Sequence, residues 1–158
     1  MTQKLEVINN FHGEHGFLSN FYPVPISWNN FTFGSVEHAY VASKSKSFLF
    51  WIEISKLRPE QAGKAKRKGR KIKIRDDWDM VKISLMRKFL KQKFNYAHLK
   101  ELLLSTNDVT LIEGNNWHDN YWGDCSCEKC KKIVGQNQLG KLLMKIRGNL
   151  NAESINHG

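Results

Sequence analysis

Hydrophobic and polar positions follow helical spacing along most of this chain. The clearest helix begins after Asp76 or Asp77, either of which suits an N-cap, and its apolar residues recur at helical spacing from Trp78 to Phe94. Similar spacing predicts further helices, one opened by Ser35 as N-cap and another by proline at its first turn. They cover residues 36 to about 57, 59 to about 69, 97–104 and 137 to about 147.

Alternation typical of strands is confined to short segments. Residues 5–8 and 109–113 are predicted strands, and residues 26–33 are predicted to form a hairpin that turns at Asn29 and Asn30. Many helices with a few short strands indicate the α+β class, predominantly helical. We expect a single domain over residues 1–158, with its core within about 5–150 and a disordered tail at 151–158.

Composition narrows the class of protein. Hydrophobic residues make up 41% and charged residues 25% of the 158 positions, which is a globular balance. The N-terminus lacks the apolar region of a signal peptide, and no apolar run has the length of a membrane span. Three clustered cysteines argue against a disulfide scaffold and for a reducing compartment. We therefore expect a cytoplasmic protein without membrane contact, taken to be a monomer.

Positive charge is concentrated in one segment. The net charge is +10, and residues 64–75 contain eight lysines and arginines and no acid. Such a density favours polyanions, because each neutralised phosphate releases counterions. A solvated helix face explains the same pattern equally well.

The loop before Asp124 has an unusual composition. The segment Leu111–Asp124 contains two tryptophans, a tyrosine, two aspartates and three asparagines. Turns are usually built from small polar residues, so large aromatics among carboxylates indicate a surface that stacks on a flat polar ring. The sequence predicts a binding loop here.

A carboxylate and an amine lie two turns apart on the first long helix. Glu37 follows the Ser35 cap, Lys44 comes seven residues later on nearly the same face, and Tyr40 lies between them. This pair suits proton transfer and either charge stabilisation or nucleophilic attack. A carboxylate that only complements the helix dipole, with a surface lysine, is the alternative.

Two further segments leave their role open. Ser19 and Asn20 stand between aromatic residues before Pro23, where they either bind a ligand or form a core-packing turn. Asn137 opens the last helix, where free N–H groups suit a phosphate, although asparagine is also a good cap.

The cysteines have nearly the spacing of a metal site. Cys125, Cys127 and Cys130 form Cys-x-Cys-x-x-Cys, and His118 would supply the fourth ligand that structural zinc needs. Reduced thiols in an accessible turn are the alternative. We include no metal and no cofactor in the prediction and leave the zinc question open.

Taken together, these segments resemble the NADAR superfamily of YbiA-like N-glycosidases. The resemblance covers roughly residues 11 to 147, with the motifs in family order. They are Leu18-Ser19-Asn20-Phe21, Val36-Glu37-His38-Ala39-Tyr40 with Lys44, Trp78 through Lys88, Leu111-Ile112-Glu113, Asp119-Asn120-Tyr121-Trp122-Gly123-Asp124, and Gly135 through Met144. The cysteine cluster and the basic segment before Trp78 depart from the family pattern.

The resemblance implies a mostly helical fold and hydrolysis of N-glycosidic bonds to ribose. Family substrates include ADP-ribose on guanine in nucleic acid and phosphorylated early intermediates of riboflavin synthesis. Glu37 matches the catalytic glutamate, and Lys44 matches a lysine that is a candidate for a Schiff base with the opened ribose. Asn20, Trp78, Trp122 and Asp124 match other site positions.

We therefore predict an N-glycosidase with three catalytic residues, Glu37, Lys44 and Asp124. Predicted stacking residues are Phe21, Tyr121 and Trp122, with contributions of about 1–3 kcal/mol each, and predicted phosphate contacts are Arg75, Arg87 and the backbone at Asn137. The full set of predicted substrate-binding residues is Ser19, Asn20, Phe21, Tyr40, Arg75, Trp78, Arg87, Asp119, Tyr121, Trp122, Gly123 and Asn137.

The sequence is compatible with more than one substrate. The basic excess favours ADP-ribosylated nucleic acid as the partner over a ribosyl-phosphate small molecule of riboflavin synthesis. A binding module for ADP-ribose or nucleic acid without catalysis is the third alternative.

Overall fold

The computed structural model describes residues 6–157, in two compact units that we describe separately. The central unit runs from Asn20 to Tyr96, and the terminal unit comprises the described residues before and after it. Leu5, the predicted start of the first strand, and Gly158, the end of the predicted tail, lie outside the described residues. Over residues 6–157, no helix combines the length and the apolar character that crossing a membrane requires.

Helices dominate, as predicted for this α+β fold. The helices are α1 (Val36–Ser43), α2 (Phe48–Ser55), α3 (Ala62–Gly69), α4 (Trp78–Lys93), α5 (Ala97–Ser105) and α6 (Gln138–Asn156). The strands are β1 (Val7–Ile8), β2 (Pro23–Trp28), β3 (Phe31–Ser35), β4 (Thr110–Leu111), β5 (Gly114–Asn115) and β6 (Asp124–Cys125). Short 3-10 helices cover Gly13–Leu18, Pro59–Gln61 and Glu128–Cys130.

The central unit begins with the predicted hairpin. Strands β2 and β3 pair antiparallel, and Asn29 and Asn30 turn the chain with φ angles of 48° and 66°. Asparagine tolerates these left-handed angles better than most residues, which explains the Asn-Asn pair. The inner faces of the hairpin and of the helices that pack on it form the core, whose fully buried members include Ile26, Phe33, Ile54, Phe89 and Leu90.

The predicted long helix over residues 36–57 is wrong, because the structure divides it. Helix α1 ends at Ser43, and α2 begins after Ser47. The Ser45 hydroxyl accepts the Ser47 backbone N–H at 3.0 Å, and the Ser47 hydroxyl accepts that of Phe50. Serine side chains compete with the helical backbone for its donors, so this serine-rich stretch stops one helix and caps the next.

Small residues bring α3 against α1. Ala62, Ala65 and Gly69 are buried on α3, and a Cβ on Gly69 would come within 2.9 Å of Val41 Cγ1. The remaining faces of α3 carry its lysines and arginines. The predicted start at Pro59 is confirmed as a 3-10 turn that leads into α3.

Helix α4 matches its predicted extent, but its cap differs. Asp77 occupies the N-cap position without a side-chain cap hydrogen bond. Its carboxylate instead accepts two hydrogen bonds from the Arg75 guanidinium, at 2.6 and 2.9 Å. The Arg75 guanidinium competes with the cap because it offers the carboxylate two parallel hydrogen bonds and a full positive charge, whereas the helix start offers neutral N–H groups.

The terminal unit is built from short parallel strand pairs and two helices. β1 pairs with β4, and β5 pairs with β6. β4 is shorter than the predicted strand at 109–113. The predicted fraying of α6 after Arg147 and the disordered tail are wrong as far as Asn156, because the helix continues to that residue.

Buried Arg147 attaches α6 to the chain before β4. Its Nη1 donates to Thr106 Oγ1 at 2.8 Å and to the Val109 carbonyl oxygen at 2.9 Å. These bonds fix the middle of α6 to the chain that leads into β4. Arg147, the residue at which the helix was predicted to end, is therefore one that anchors the helix by hydrogen bonds.

Candidate functional site

Glu37 lies in the first turn of α1, which Ser35 caps as predicted. The Ser35 hydroxyl accepts the His38 backbone N–H at 3.2 Å. The backbone N–H of Glu37 donates to the Asn20 carbonyl oxygen at 3.0 Å, so a second segment also holds this turn. Glu37 is 9% exposed, whereas a carboxylate that only complements a helix dipole would stand in solvent.

His38 braces the same turn and was not among the predicted site residues. Its Nδ1 lies 2.7 Å from Ser35 Oγ, and its Nε2 lies 3.1 Å from the Arg58 carbonyl oxygen. A carbonyl only accepts, so Nε2 carries the proton and Nδ1 accepts from the hydroxyl. Burial lowers the pKa of His38, in keeping with a neutral ring. Position 38 in the Glu-His motif was the only sequence signal for it.

Asn20 contributes an unusual buried polar atom beside Glu37. The side chain is 7% exposed, and its Nδ2 donates to Met86 Sδ at 3.6 Å. Its Oδ1 is buried and accepts no hydrogen bond within the part of the chain that the structure describes. Buried polar atoms almost always have partners, so this oxygen is free to accept from a ligand. Met86 was not predicted, and only its place in the α4 motif indicated it.

The Lys44 amine lies beside the aromatic rings of Tyr40 and Trp78. Lys44 Nζ lies 5.0 Å from the centroid of the Tyr40 ring and 6.0 Å from that of Trp78. The two rings are 5.1 Å apart and inclined at 56°. Aromatic faces attract an ammonium ion, so the rings direct this amine. The predicted i, i+7 relation to Glu37 is present, because Lys44 is the C-cap of α1.

The predicted phosphate contacts differ in their surroundings. Arg75 is paired with Asp77, and its guanidinium lowers the pKa of that carboxyl to about 2. Arg87, on α4, is half-buried and forms no ion pair or hydrogen bond with any of residues 6–157. Of the two predicted phosphate contacts, Arg87 is therefore the stronger candidate, since Arg75 would have to leave Asp77.

Phe21 lies beside α3, the helix that carries the first part of the basic segment. Phe21 is 41% exposed, and Lys66 Nζ lies 5.7 Å from the centroid of its ring. Lys68 pairs with Glu53. Five cations of the segment stand in solvent: Lys64, Arg67, Arg70, Lys71 and Lys73. We call these five the basic face.

In the terminal unit, Asn115 shapes the predicted binding loop. Its Nδ2 donates to the Asp119 carbonyl oxygen at 2.7 Å, and its Oδ1 accepts the N–H groups of Trp117 and Asp119. The Asp119 carboxylate in turn accepts the N–H groups of Tyr121 and Trp122, at 3.1 and 2.9 Å. Asp119 thus holds the loop through an Asx-type turn.

The aromatic pair of this loop is half-buried. The Tyr121 and Trp122 rings meet edge to face, with centroids 4.9 Å apart. Gly123 is required behind them, since a Cβ there would lie 2.1 Å from the Glu113 carbonyl oxygen. Asp124 Oδ1 accepts the Gly135 N–H at 2.9 Å. Asp124 also lines a groove of about 430 Å³ with Trp117 and the 114–116 segment.

The phosphate site predicted at the start of α6 is wrong. The N–H groups of residues 136–139 already donate to the carbonyl oxygens of residues 120–123. Asn137 does not cap the helix either: its Oδ1 accepts the Glu113 N–H, and its Nδ2 donates to the Leu111 carbonyl oxygen. The backbone N–H groups at the start of α6 are therefore hydrogen-bonded to the predicted binding loop and are not available to a phosphate.

The remaining predicted residues lie as follows. Ser19 ends the 3-10 helix Gly13–Leu18 of the terminal unit, where its N–H donates to the Gly16 carbonyl oxygen at 3.0 Å. The three cysteines and His118 lie together in the terminal unit, with their ligand atoms within 4.8 Å of one another. Among the described residues, these four form the group of side chains that could bind a metal ion.

Comparison with known proteins shows which family this chain resembles. Residues 8–151 match the NADAR domain. The chain is 34% identical to N-glycosidase YbiA of Escherichia coli, over 94% of this chain and 91% of that protein. It is 36% identical to an N-glycosidase of Nostoc punctiforme, over 84% of each protein. Riboflavin biosynthesis protein PYRR of Zea mays is 34% identical over 85% of this chain and 23% of its own length.

A solved structure agrees with these relatives. The structure of Escherichia coli YbiA matches 99% of this chain and 92% of its own, with a TM-score of 0.81 and 34% identity. The predicted α+β fold is confirmed, as is the prediction of an enzyme of the hydrolase class. This chain belongs to the NADAR domain family.

Proposed function

We propose that this protein hydrolyses the C–N bond between ribose and guanine in ADP-ribosylated nucleic acid. The observation that carries the proposal is the environment of Glu37. A carboxylate is held at 9% exposure in a braced helical turn, beside an asparagine whose buried Oδ1 has no hydrogen-bond partner among residues 6–157. Such an arrangement suits a reacting ligand better than it suits stability, because an unsatisfied buried acceptor costs about 1–3 kcal/mol.

The chemistry follows from Glu37 and Lys44. The Lys44 amine attacks the anomeric carbon, and the guanine nitrogen departs with a proton from Glu37. The proton lost by the lysine nitrogen goes to the ring oxygen, and the opened sugar stays bound as a Schiff base. Water then adds to the Schiff base and returns a proton to Glu37, and ADP-ribose leaves as the lysine amine is released. Tyr40 and Trp78 direct the amine in this scheme.

Direct attack by water is the alternative route. In that case Glu37 positions the water or stabilises the oxocarbenium-like transition state, and Lys44 acts only as a cation. Borohydride reduces a Schiff base to a stable amine, so a protein–sugar adduct that Lys44→Arg abolishes supports the lysine route. Absence of an adduct with the native, active enzyme would favour direct hydrolysis.

Nucleic acid as the substrate is supported by the surface around this group. Two members of the basic face, Lys64 and Arg67, lie on α3, which packs on the helix that carries Glu37, and the other three directly follow α3 in the chain. Phe21 follows Asn20 directly, is 41% exposed, and has a lysine amine near its ring. Exposed aromatics interleaved with cations are the features that bind single-stranded nucleic acid by stacking and charge. The binding roles of Tyr121, Trp122 and Asp124 stay part of the proposal.

Release of ADP-ribose from a guanine-ADP-ribosylated DNA oligonucleotide tests the proposal. We expect release by the native protein and a loss of at least about 100-fold in Glu37→Gln, the scale of lost acid–base catalysis. Glu101→Gln is the matched control, because Glu101 is exposed on α5. Release that survives in Glu37→Gln would contradict the role of Glu37, and no release by the native protein would contradict the substrate.

A riboflavin intermediate is the second candidate, favoured by one observation. The plant relative in the comparison is named a riboflavin biosynthesis protein. Cleavage of a phosphorylated ribosylamine intermediate, with no action on the oligonucleotide, would assign this chain to that reaction. Failure on both substrates, with retained ADP-ribose binding, would assign it to the binding modules.

A further inference from the structure

We propose that His118, Cys125, Cys127 and Cys130 bind one structural zinc ion. Their four ligand atoms all lie within 4.8 Å of one another, although the residues come from separate turns of the loop. Cys127 Sγ lies 3.1 Å and Cys130 Sγ lies 3.6 Å from His118 Nδ1. Bond lengths of about 2.3 Å to sulfur and 2.0–2.1 Å to nitrogen put tetrahedral ligands at about 3.5–3.8 Å from each other. The group therefore has the dimensions of one coordination sphere.

Hydrogen bonds in the loop point at the sulfur atoms. Cys125 Sγ accepts the N–H groups of His118 and Cys127, at 3.3 and 3.5 Å. Asn120 Nδ2 donates to Cys130 Sγ at 3.2 Å, and Asn120 Oδ1 accepts the Cys125 N–H. Donors aimed at sulfur stabilise thiolates, and partners of this kind orient the ligands around metals. A turn of incidental free thiols needs none of them.

The backbone at His118 is also specialised. Its φ angle is 68°, in the left-handed region that non-glycine residues seldom occupy. This angle turns the ring towards Cys127 and Cys130, whose sulfur atoms are its neighbours. The strained position therefore serves the cluster directly.

The donor set selects the metal and its role. Three thiolates and an imidazole suit zinc among the common divalent ions, since magnesium and calcium prefer oxygen. Four protein ligands fill a tetrahedral sphere, which is the pattern of structural and not of catalytic zinc. All three cysteines are free of disulfides, so their thiolates are available to the ion.

The site has a consequence for the binding loop. His118 and Cys125 flank Asp119–Asp124, so a zinc ion would close that segment into a ring. Closing this ring would reduce the conformational freedom of the chain between the two ligands, and so it would keep Tyr121 and Trp122 in an ordered conformation. Zinc binding is independent of the proposed function, whereas an effect on substrate affinity rests on it.

Metal content of the reduced native protein is the first test. The protein is loaded with zinc, dialysed against metal-free buffer and analysed by elemental mass spectrometry, with the expected result of about one zinc per chain. Replacement by Co²⁺ should give the intense visible bands of tetrahedral cobalt and thiolate charge-transfer bands in the near ultraviolet. Both measurements use the intact native chain.

Matched variants locate the ion. Cys127→Ser should weaken zinc binding by at least about 100-fold, because one of four ligands is lost. His98→Gln should bind zinc as the native protein does, since His98 is exposed on α5 and lies outside the cluster. A chelator should lower the Tm of the native protein and of His98→Gln, as loss of a bound ion does.

Three results would overturn the zinc site. They are substoichiometric zinc in the loaded native protein, a cobalt spectrum without thiolate bands, and a disulfide detected as a loss of two hydrogens in the purified native chain. If Cys127→Ser does not fold, stoichiometry and the cobalt spectrum of the native protein decide the question. None of these measurements depends on glycosidase activity, so failure of the proposed function would remain distinguishable.

Discussion

Burial changes the protonation of Lys93. It stands in the last turn of α4 and is fully buried. Its Nζ lies 5.4 Å from the centroid of the Tyr22 ring and 5.1 Å from that of Phe94. Burial lowers the pKa of Lys93 to about 7 from a usual value of 10.5. The folded chain therefore tends to hold this amine neutral, whereas the unfolded chain keeps it charged.

This difference predicts a pH dependence of stability. Between about pH 7 and 10.5 the unfolded state binds one more proton than the folded state, so the free energy of unfolding should rise with pH. The slope from Lys93 is at most about 1.4 kcal/mol per unit. Lys93→Met should raise stability at pH 7 and flatten the rise, as measured by urea unfolding from pH 7 to 9. Lys91→Met, at an exposed position, is the control, and parallel curves for native and Lys93→Met would contradict the prediction.

At the scale of elements, the contact of α3 with α1 sets the position of the Glu37 helix. Gly69 faces Val41, which is buried and β-branched and so has few rotamers to move into. Gly63, on the same helix, leaves room for a methyl group, with Arg67 Nη1 at 3.5 Å as the nearest atom. The close contact with Val41 therefore requires glycine at position 69, whereas the surroundings of position 63 would accept alanine.

The same substitution should have opposite effects at these positions. Gly63→Ala should stabilise the protein by up to about 1 kcal/mol through helix propensity. Gly69→Ala should destabilise it by about 1–3 kcal/mol, because its Cβ would lie 2.9 Å from Val41 Cγ1 and overpack the contact. Thermal and urea unfolding of the two variants checks the signs. Equal effects would mean that α3 moves freely on α1.

Most elements fixed by local chemistry could be predicted, with one exception, whereas those fixed by distant partners could not. The Asn-Asn hairpin and the stripe of α4 are local patterns, and both are confirmed. The break between α1 and α2 was also local, but the serines that cause it resemble ordinary helix-surface residues in the sequence. The predicted long helix failed for that reason.

The same distinction holds for the candidate site. Glu37 lies in α1 and Lys44 is its C-cap, so their spacing alone predicted that one helix carries both, while their catalytic roles stay a proposal. Asn137 was expected to bind phosphate, yet its side chain bonds the backbone of residues 111 and 113. Nothing in the residues around Asn137 indicates partners that lie more than twenty positions earlier in the chain.

For the whole molecule, the distribution of charge bears most on the substrate. The five cations of the basic face equal half of the net charge of +10. Other lysines and arginines of the segment are held by local partners, as in the pairs of Lys68 with Glu53 and Arg75 with Asp77. The basic face is therefore the part of this segment whose charge is available to a polyanion.

Salt dependence should separate a specific nucleic-acid contact from general positive charge. Affinity for an ADP-ribosylated oligonucleotide should fall with salt. The double variant Arg67→Gln with Arg70→Gln should reduce the logarithmic slope by about 1.4, which is about 0.7 for each lost phosphate contact on a single strand. Lys91→Gln with Lys145→Gln removes the same charge at exposed positions on α4 and α6 and should leave the slope nearly unchanged. Equal slopes for the two double variants, measured by fluorescence anisotropy, would mean that net charge alone attracts the substrate. Because Arg67 and Arg70 lie outside the Glu37 and Lys44 group, turnover of a bound small ribosyl substrate should be the same in both variants.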